Sequence, residues 1–392
     1  MKTPNQDPSG KLWNDPVFRG RVFQAVVLLA VVAFFAFIIN NTLNNLDARG
    51  ISTGFGFLSQ EAGFGIIQSL IEYNETHTYG RTFVVGILNT LLVSLVGIFL
   101  ATIVGFLVGI GRLSSNWLIS RLAAIYIETF RNIPLLLQIF FWYFAVLGVM
   151  PHPRQSMSWG EAVFLNVRGL YIPDPQFSEG ISFVVASIFI TFGIIWFLKH
   201  WAHKRQDDTG QQFPVFWTSI GLLIAIPGLV YLISGTSLTW DIPELKGFNF
   251  KGGITILPEF TALLLALTIY TAAFIAEIVR AGIQSVPKGQ LEASRALGLK
   301  NSQMLRLVVI PQAMRVIIPP LTSQYLNLTK NSSLATAIGY PDLVAIFAGT
   351  TLNQSGQAIE IIFMVMAVYL TISLTISLIM NIYNKRMALV ER

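Results

Sequence analysis

Polar side chains occur inside segments that are otherwise apolar, and their chemistry is that of solute binding. The richest such segment holds these residues: Thr322, Ser323, Gln324, Asn327, Thr329, Lys330 and Asn331. Polar groups are costly within a membrane, so they mark candidate pathway positions. Gln324 can donate and accept hydrogen bonds without carrying a charge, and Lys330 could meet a carboxylate. Pro319 and Pro320 are predicted to break this helix, because each removes a backbone donor. Alternatively, these polar groups satisfy backbone freed by the two prolines. For Lys330 both interpretations stay open, and for Gln324 the pathway role is preferred.

A second candidate set lies in the stretch FRNIPLLLQ, which carries Arg131, Pro134 and Gln138. Arg131 could present a positive charge to a pathway. It could equally pair with Glu128 or with carbonyl groups near the proline, and this structural role is slightly preferred. We expect Asn89, together with its neighbours Thr90 and Ser94, to pack one helix against another.

Two charged arrangements have local interpretations. Glu277 and Arg280 are spaced for an ion pair on one helix face, which could brace the segment that follows. His200 and His203, in KHWAHKR, have a spacing that could bind a metal. Their neighbours are basic, so we prefer an interfacial basic cluster and predict no metal site.

The chemistry of bond cleavage finds no support in this sequence. Cysteine is absent, which excludes disulfides, thiolate metal sites and catalytic thiols. No general acid–base pair or nucleophile arrangement stands out. There is no G-x-x-x-x-G-K-[ST] loop, so the chain cannot hydrolyse ATP by the P-loop mechanism. We therefore predict no catalytic residue, and any energy must come from a partner.

Composition places these side chains in a polytopic membrane protein. The 392 residues are 53% hydrophobic and 12% charged, about half the charged fraction of a soluble domain. Since about 20 apolar residues cross a bilayer, we predict an all-α protein with about eight transmembrane helices. Their approximate bounds are 22–39, 83–111, 121–149, 181–199, 214–233, 259–281, 307–328 and 359–383.

The basic residues indicate topology rather than nucleic-acid binding. With the N-terminus inside, inner segments carry 17 Lys and Arg and outer segments carry 7, with Arg131 and Arg315 within spans. This bias fits the positive-inside rule with both termini cytoplasmic. The long outer loops, 40–82 and 150–180, are rich in Gly, Asn, Ser and Pro, which suggests turns with short surface helices.

A polar hairpin at 287–305 separates two apolar segments. PKGQLEASRAL has a first-turn proline and good helix formers, and Gly298 is placed to end this helix in the left-handed conformation. Asn301 or Ser302 could then cap a second helix starting at Gln303. Leu291, Ser294 and Leu297 form a face lined with small residues. The hairpin could dock a cytoplasmic partner, or it could lie on the bilayer surface.

The hairpin resembles the EAA loop of ABC-importer permeases. That pattern is E-A-A, three residues, G, nine residues, I, one residue, L-P, and the spacing matches throughout. Ser294 replaces Ala, Val308 replaces Ile and Ile310 replaces Leu, with size and helix compatibility kept. The resemblance implies contact with an ATPase subunit through a coupling helix, and the implied residues are Gly289, Glu292, Ala293, Ser294, Leu297, Gly298 and Pro311.

The resemblance extends to 82–149 and 258–385, which look like the core of the polar amino-acid permease branch and hold five type I core helices. Residues 1–81 precede this core, 150–257 are an insertion with two extra spans, and 386–392 form a tail. An extra first helix with a two-helix insertion is similar to general L-amino-acid permeases. In the fourth core helix, relatives that carry basic amino acids tend to have an acidic residue where Gln324 stands, which argues against strict cationic specificity.

The family resemblance also implies a function and a set of partners. It implies a permease subunit, in the bacterial inner membrane, of an ATP-driven importer that translocates L-amino acids with broad specificity. The implied partners are a second related permease, an ATPase dimer that binds ATP and Mg²⁺, a periplasmic binding protein and membrane lipid. This chain would bind no cofactor and no nucleic acid. The alternative is a secondary amino-acid transporter driven by an ion gradient.

Overall fold

A computed structural model describes residues 16–48 and 53–387. The basic residues Lys2, Lys11 and Arg49 and the last part of the predicted tail, 388–392, lie outside the described residues. The chain divides into two compact units, one formed by Met1–Leu95 with Gly282–Arg392 and the other by Val96–Ala281.

Helices dominate both units, as the apolar segments predict. Their bounds are α1 Pro16–Ala48, α2 Tyr79–Arg112, α3 Trp117–Asn132, α4 Leu135–Phe140, α5 Ile181–Thr209, α6 Val215–Ile233, α7 Pro258–Gln284, α8 Lys288–Ala296, α9 Asn301–Met304, α10 Ile310–Asn331, α11 Leu352–Ser355 and α12 Ala358–Met387. Within the described residues, seven helices are long and apolar enough to cross a membrane, and a bent pair makes up to eight. The predicted fold class and span number are confirmed.

The third predicted span, 121–149, is not one straight helix. Helix α3 and the helical stretch Leu135–Leu147 meet at an angle of 106°. The residue before a proline is pushed out of the helical region by the proline ring, and Ile133 accordingly has an extended backbone, with φ −92° and ψ 126°. Pro134 therefore divides this segment into two helices.

Helix α10, by contrast, runs without interruption through Pro319 and Pro320, so the predicted break there is wrong. Proline's fixed φ of about −65° is itself helical, so both prolines fit the helix while removing two backbone donors. The chain leaves α-helical geometry later, in the 3₁₀ segment Ser332–Ile338, which ends at Gly339 with φ +78°.

The predicted turns and surface helices at 150–180 are also wrong in the main. A 3₁₀ turn covers Pro153–Gln155, but the rest of this region and the loop after α6 form short strands. These are β1 Met157–Trp159, β2 Val163–Asn166, β3 Gly169–Ile172, β4 Asp174–Phe177, β5 Leu238–Asp241, β6 Glu244–Lys246, β7 Asn249–Lys251 and β8 Ile254–Ile256. They pair antiparallel in the order β1-β2-β3-β8, with β4-β5 and β6-β7 as separate pairs.

The strands pack around stacked aromatic rings. The ring of Phe250 lies 4.6 Å from that of Phe164 and 4.8 Å from that of Tyr171. Tyr171 is 2% exposed, and its hydroxyl donates to the Asn249 side chain. Since β3 and β8 are distant in sequence, this small sheet depends on long-range pairing that local composition does not reveal.

Close helix packing in the unit formed by Val96–Ala281 depends on two glycines of α2. A Cβ atom built on Gly105 would lie 2.6 Å from the Ile275 side chain of α7, and one on Gly109 would lie 2.7 Å from the Ala276 carbonyl oxygen. Small residues allow membrane helices to approach closely, so these glycines fix the contact between α2 and α7.

We expect Gly105→Ala to destabilise the protein, because the overpacking cost of about 1–3 kcal/mol exceeds the gain in helix propensity of about 1 kcal/mol. Gly193→Ala in α5 is the matched control, since no atom lies within 4 Å of its added Cβ. Thermal unfolding followed by tryptophan fluorescence should give a lower Tm for Gly105→Ala alone. Equal Tm values would contradict this packing.

Candidate functional site

The polar hairpin is a helix, a sharp turn and a second helix. Gly298 has φ +71°, as the sequence predicts. Its N–H donates to the Arg295 carbonyl at 2.9 Å, and the Leu299 N–H donates to the Ser294 carbonyl at 3.2 Å. These two bonds make a Schellman motif, which ends a helix by satisfying its last carbonyls. The turn is therefore held by backbone bonds that require a left-handed residue.

The second helix starts earlier than predicted. Lys300, rather than Asn301 or Ser302, is the capping residue, because its ψ of 152° is extended and Asn301 is already helical. The Lys300 N–H donates to Gln303 Oε1 at 3.0 Å, the backward half of a capping box. Through the π-helical turn Leu305–Val309 the chain then continues into α10, so hairpin and membrane helix are joined without a loop.

The residues predicted to form one face of the hairpin differ in their exposure. Ser294 is 4% exposed and donates to the Gln290 carbonyl at 2.6 Å, so it packs within its own chain. Leu297 is 80% exposed. The remaining predicted coupling residues on the hairpin are also exposed: Gly289, Glu292 and Ala293. Glu292 has no ion-pair partner within the described residues. Within the described residues, the hairpin therefore exposes an unpaired carboxylate and a large apolar side chain.

An ion pair precedes the hairpin, near the end of α7. Arg280 donates to both carboxylate oxygens of Glu277, with Nε 3.0 Å from Oε2. Both side chains are about 30% exposed. The predicted local pair is confirmed, and its two-point geometry restricts the last turns of α7 before the hairpin.

Four predicted pathway residues lie together on α10. Ser323, Asn327 and Lys330 are exposed at positions i, i+4 and i+7, and Gln324 beside them is half-buried. In the described part of the chain none of these four side chains has a hydrogen-bond partner. Thr322 and Thr329 instead donate to carbonyls of their own helix. We call Ser323, Gln324, Asn327 and Lys330 the polar stripe. Their side-chain donors and acceptors are free within the described residues, whereas the neighbouring threonines are bonded to the helix backbone.

Gln138, the other predicted pathway glutamine, lies in the bend after α3. It is 3% exposed, and its Nε2 donates to the carbonyl oxygens of Phe130 and Ile133, both at 3.0 Å. These carbonyls lose helical partners where Pro134 bends the chain. Gln138 accordingly stabilises the bend, which is the structural alternative for polar groups near a proline.

Arg131, at the end of α3, lies exposed with its guanidinium carbon 5.2 Å from the centre of the Phe274 ring. The alternative pairing with Glu128 is not formed among the described salt bridges. A guanidinium over an aromatic face is attracted by the ring and keeps its N–H groups free to meet an anion. Its predicted pathway role remains open.

A buried carboxylate escaped the sequence analysis. Asp342 is fully buried, accepts a hydrogen bond from the Ala345 N–H at 2.8 Å, and accepts another from the Tyr369 hydroxyl at 3.2 Å. Close by, Thr90 Oγ1 accepts from the Leu343 N–H, and Asn89 donates to the Pro341 carbonyl. Asn89 and Thr90 thus make packing hydrogen bonds as predicted, whereas the buried Ser94 hydroxyl has no hydrogen-bond partner within the described residues. The sequence Gly-Tyr-Pro-Asp at 339–342 predicts a turn, but it does not predict that this turn is buried.

Known proteins resemble this chain over nearly its whole length. The family model described as "Binding-protein-dependent transport system inner membrane component" matches residues 207–389. YhdX of Escherichia coli K12, which bears the name of an amino-acid ABC transporter permease, is 56% identical over 96% of both chains. The general L-amino acid transport system permease AapQ of Rhizobium johnstonii is 54% identical over 96% of this chain and 94% of its own.

A third relative is the glutamate/glutamine/aspartate/asparagine transport system permease BztB of Rhodobacter capsulatus, which is 43% identical over 96% of both chains. Among solved structures, a crystal structure of an amino acid ABC transporter with histidines covers 79% of this chain and 95% of its own, with 22% identity and a TM-score of 0.47.

The two glutamines should respond differently to Gln→Leu. Gln138→Leu removes the buried donor of two backbone carbonyls at the bend, and we expect a loss of about 1–3 kcal/mol in the free energy of unfolding. Gln324→Leu removes no hydrogen bond within the described chain, so we expect a change within about 0.5 kcal/mol. Thermal unfolding of both purified variants measures this difference. A similar Tm shift in the two would show that Gln138 does not stabilise the bend.

Proposed function

The chain belongs to the permease subunits of binding-protein-dependent ABC transporters, and from this membership we propose that it carries L-amino acids of several side-chain types into the cell. The family excludes the alternative of a secondary transporter driven by an ion gradient. The proposed substrate class is supported by the relatives' names and by the uncharged Gln324 in the polar stripe of α10, which suits varied substrates.

The observation that carries this proposal is the hairpin formed by α8 and α9. Its turn is rigid, its exposed face carries Glu292 and Leu297, and its second helix continues directly into α10. A movement imposed on the hairpin by a partner would therefore reach the polar stripe through one helical connection. We propose that a partner ATPase dimer, holding ATP and Mg²⁺, contacts Gly289, Glu292, Ala293, Leu297 and Gly298 in this way.

Ser294 and Pro311 support this proposed coupling from inside the chain. Ser294 packs the first helix of the hairpin, and Pro311 lies in the first turn of α10. Neither needs to touch the ATPase. Both positions fit the motif because they determine how the hairpin is held on the membrane helix.

The proposed route for the substrate runs along the polar stripe of α10. Gln324, Ser323 and Asn327 offer neutral donors and acceptors, and Lys330 offers a positive charge to the α-carboxylate that all amino acids share. Arg131 is a second candidate for that carboxylate. Gln138 is not proposed to meet substrate, because it is buried and both N–H groups of its Nε2 are already donated to carbonyls at the bend.

The proposed assembly places the chain in the bacterial inner membrane with both termini in the cytoplasm. A second related permease would complete the translocation pathway, and a periplasmic binding protein would deliver the amino acid to the outer loops. The division into a core at 82–149 and 258–385, with an insertion at 150–257, remains a prediction from the sequence. The positive-inside count supports the orientation.

Glu292→Arg and Gly298→Asp should abolish uptake while leaving membrane insertion normal. The first reverses the exposed charge of the hairpin, and the second forces a side chain into a left-handed turn. The measurement is amino-acid-dependent ATPase activity of the importer reconstituted in lipid with its ATPase, partner permease and loaded binding protein. We expect at least a tenfold loss in both variants.

Gly247→Asp is the matched control for Gly298→Asp. Gly247 has φ +74°, and its added Cβ, like that of Gly298, meets no atom within 4 Å, but it lies in the β6–β7 turn. The control should retain the ATPase subunit during purification, whereas Gly298→Asp should lose it. Unchanged ATPase activity in both hairpin variants would remove the coupling role, and uptake driven by an ion gradient without ATP would overturn the function.

Gln324→Glu should shift substrate preference toward lysine and arginine, because a carboxylate in the stripe attracts a cationic side chain. Transport of arginine and of glutamate is measured in competition in the same vesicles. We expect the arginine-to-glutamate ratio to rise about tenfold or more, with Gln324→Leu as the uncharged control. An unchanged ratio would show that Gln324 does not face the substrate.

A further inference from the structure

The two helices of the inserted hairpin, α5 and α6, differ in length. Helix α5 has 29 residues and α6 has 19. At 1.5 Å per residue these correspond to about 44 Å and about 29 Å. Helix α6 therefore matches the hydrocarbon core of a bilayer, about 30 Å thick, while α5 exceeds it by about ten residues.

The excess length lies at one end of α5. At the other end, the chain entering α5 is bonded to the chain leaving α6: the Ser178 N–H donates to the Ser237 carbonyl at 3.2 Å, and the Ser237 N–H donates to Ser178 Oγ at 2.9 Å. Phe177 pairs with Leu238 in the adjoining strands. The start of α5 and the end of α6 therefore lie at the same height along the helix pair. Because α5 is longer, its last residues must project beyond the start of α6.

The projecting part of α5 begins where the apolar sequence ends. Residues 181–198 are apolar, with Ser and Thr as the only polar side chains, and then five basic residues follow within seven positions. We name them the basic collar: Lys199, His200, His203, Lys204 and Arg205. Arg205 is half-buried and the others are exposed. The headgroup layer is several ångströms thick, so the first turn of this projection lies at its level.

Arg205 is held in place by its neighbours. Its guanidinium lies over the Trp201 ring, with its carbon 5.4 Å from the ring centre, and its Nη2 donates to Gln211 Oε1 at 2.8 Å. The return loop is the segment 210–214 between α5 and α6. Its Phe213 ring contacts the Trp201 ring, with ring centres 5.4 Å apart. The loop thus folds back to fix a guanidinium whose remaining N–H groups are free to bind a planar or tetrahedral oxyanion.

We propose that the basic collar is a binding site for the phosphate group of an anionic phospholipid. The ligand chemistry follows from the four other basic side chains and the Arg205 guanidinium, which is held over Trp201 in the turn at headgroup depth. The aromatic rings of Trp201 and Phe213 lie beside it. Positive charge alone would orient the membrane helices. Orientation requires neither the stacked arginine nor the loop that holds it, whereas phosphate binding uses both.

The test uses the assembled importer, purified in detergent and titrated with phosphatidylglycerol or phosphatidylcholine, with bound lipids counted by native mass spectrometry. Lys204→Gln with Arg205→Gln removes two collar charges. Lys246→Gln with Lys251→Gln, in β6 and β7, is the control with equal charge loss. Arg205→Lys keeps the charge but loses the planar fork of the guanidinium.

Membrane orientation is checked separately. Because the chain has no cysteine, Gln212→Cys added to each variant reports by side-specific labelling whether the return loop keeps its orientation.

Each collar cation removed should weaken phosphatidylglycerol binding about fivefold, with phosphatidylcholine binding unchanged and with Arg205→Lys intermediate. The control pair should bind as the unaltered importer does. Equal lipid binding by the collar and control pairs, with the same labelling, would overturn the proposal. Equal competition by inorganic phosphate at the same concentration would show a free-phosphate site instead of a lipid site, and would also overturn it. None of these outcomes depends on the coupling role of the α8–α9 hairpin.

Discussion

Within an apolar layer, every backbone N–H and C=O must find its partner inside the protein, because water is absent. Helix interiors meet this requirement with their own backbone bonds. At two places where the described chain leaves straight helices, side chains supply missing partners. At the bend after α3, Gln138 serves two carbonyls. Where the chain turns after α10, Asp342, Thr90 and Asn89 do the same for backbone groups near Leu343.

The same requirement separates structural polar groups from functional ones. A buried side chain that already donates its N–H groups to the backbone has no donor left for a solute, as at Gln138. Within the described residues, the stripe formed by Ser323, Asn327, Lys330 and Gln324 has unused side-chain donors and acceptors. Gln138 and Gln324 each follow a proline in an apolar segment. Their hydrogen bonding nevertheless differs, because only Gln138 is bonded within the described residues.

The α8–α9 hairpin is joined to helix α10 by continuous helical chain. Gly298 closes a turn that backbone bonds define, and from Asn301 onward the chain stays helical into α10. The prolines at 319 and 320 do not interrupt this path, because their fixed φ suits a helix. Helices α5 and α6 are joined by hydrogen bonds between Ser178 and Ser237 at one end. Because α5 is longer than α6, its basic last part projects beyond the start of α6.

Sequence alone determined the features that depend on local physics: apolar lengths that identify the spans, the left-handed Gly298, the Glu277–Arg280 pair and the spacing of the coupling motif. Tertiary structure decided which polar groups are satisfied, that Ser294 points inward, that α10 is unbroken, and that 150–180 forms strands. Of these features, the strands and the bonds near Leu343 depend on partners far apart in the chain, such as Leu170 with Ile256 and Thr90 with Leu343. The pattern of apolar and polar residues in a sequence predicts whether a residue is buried. It does not predict which distant atoms form its hydrogen bonds.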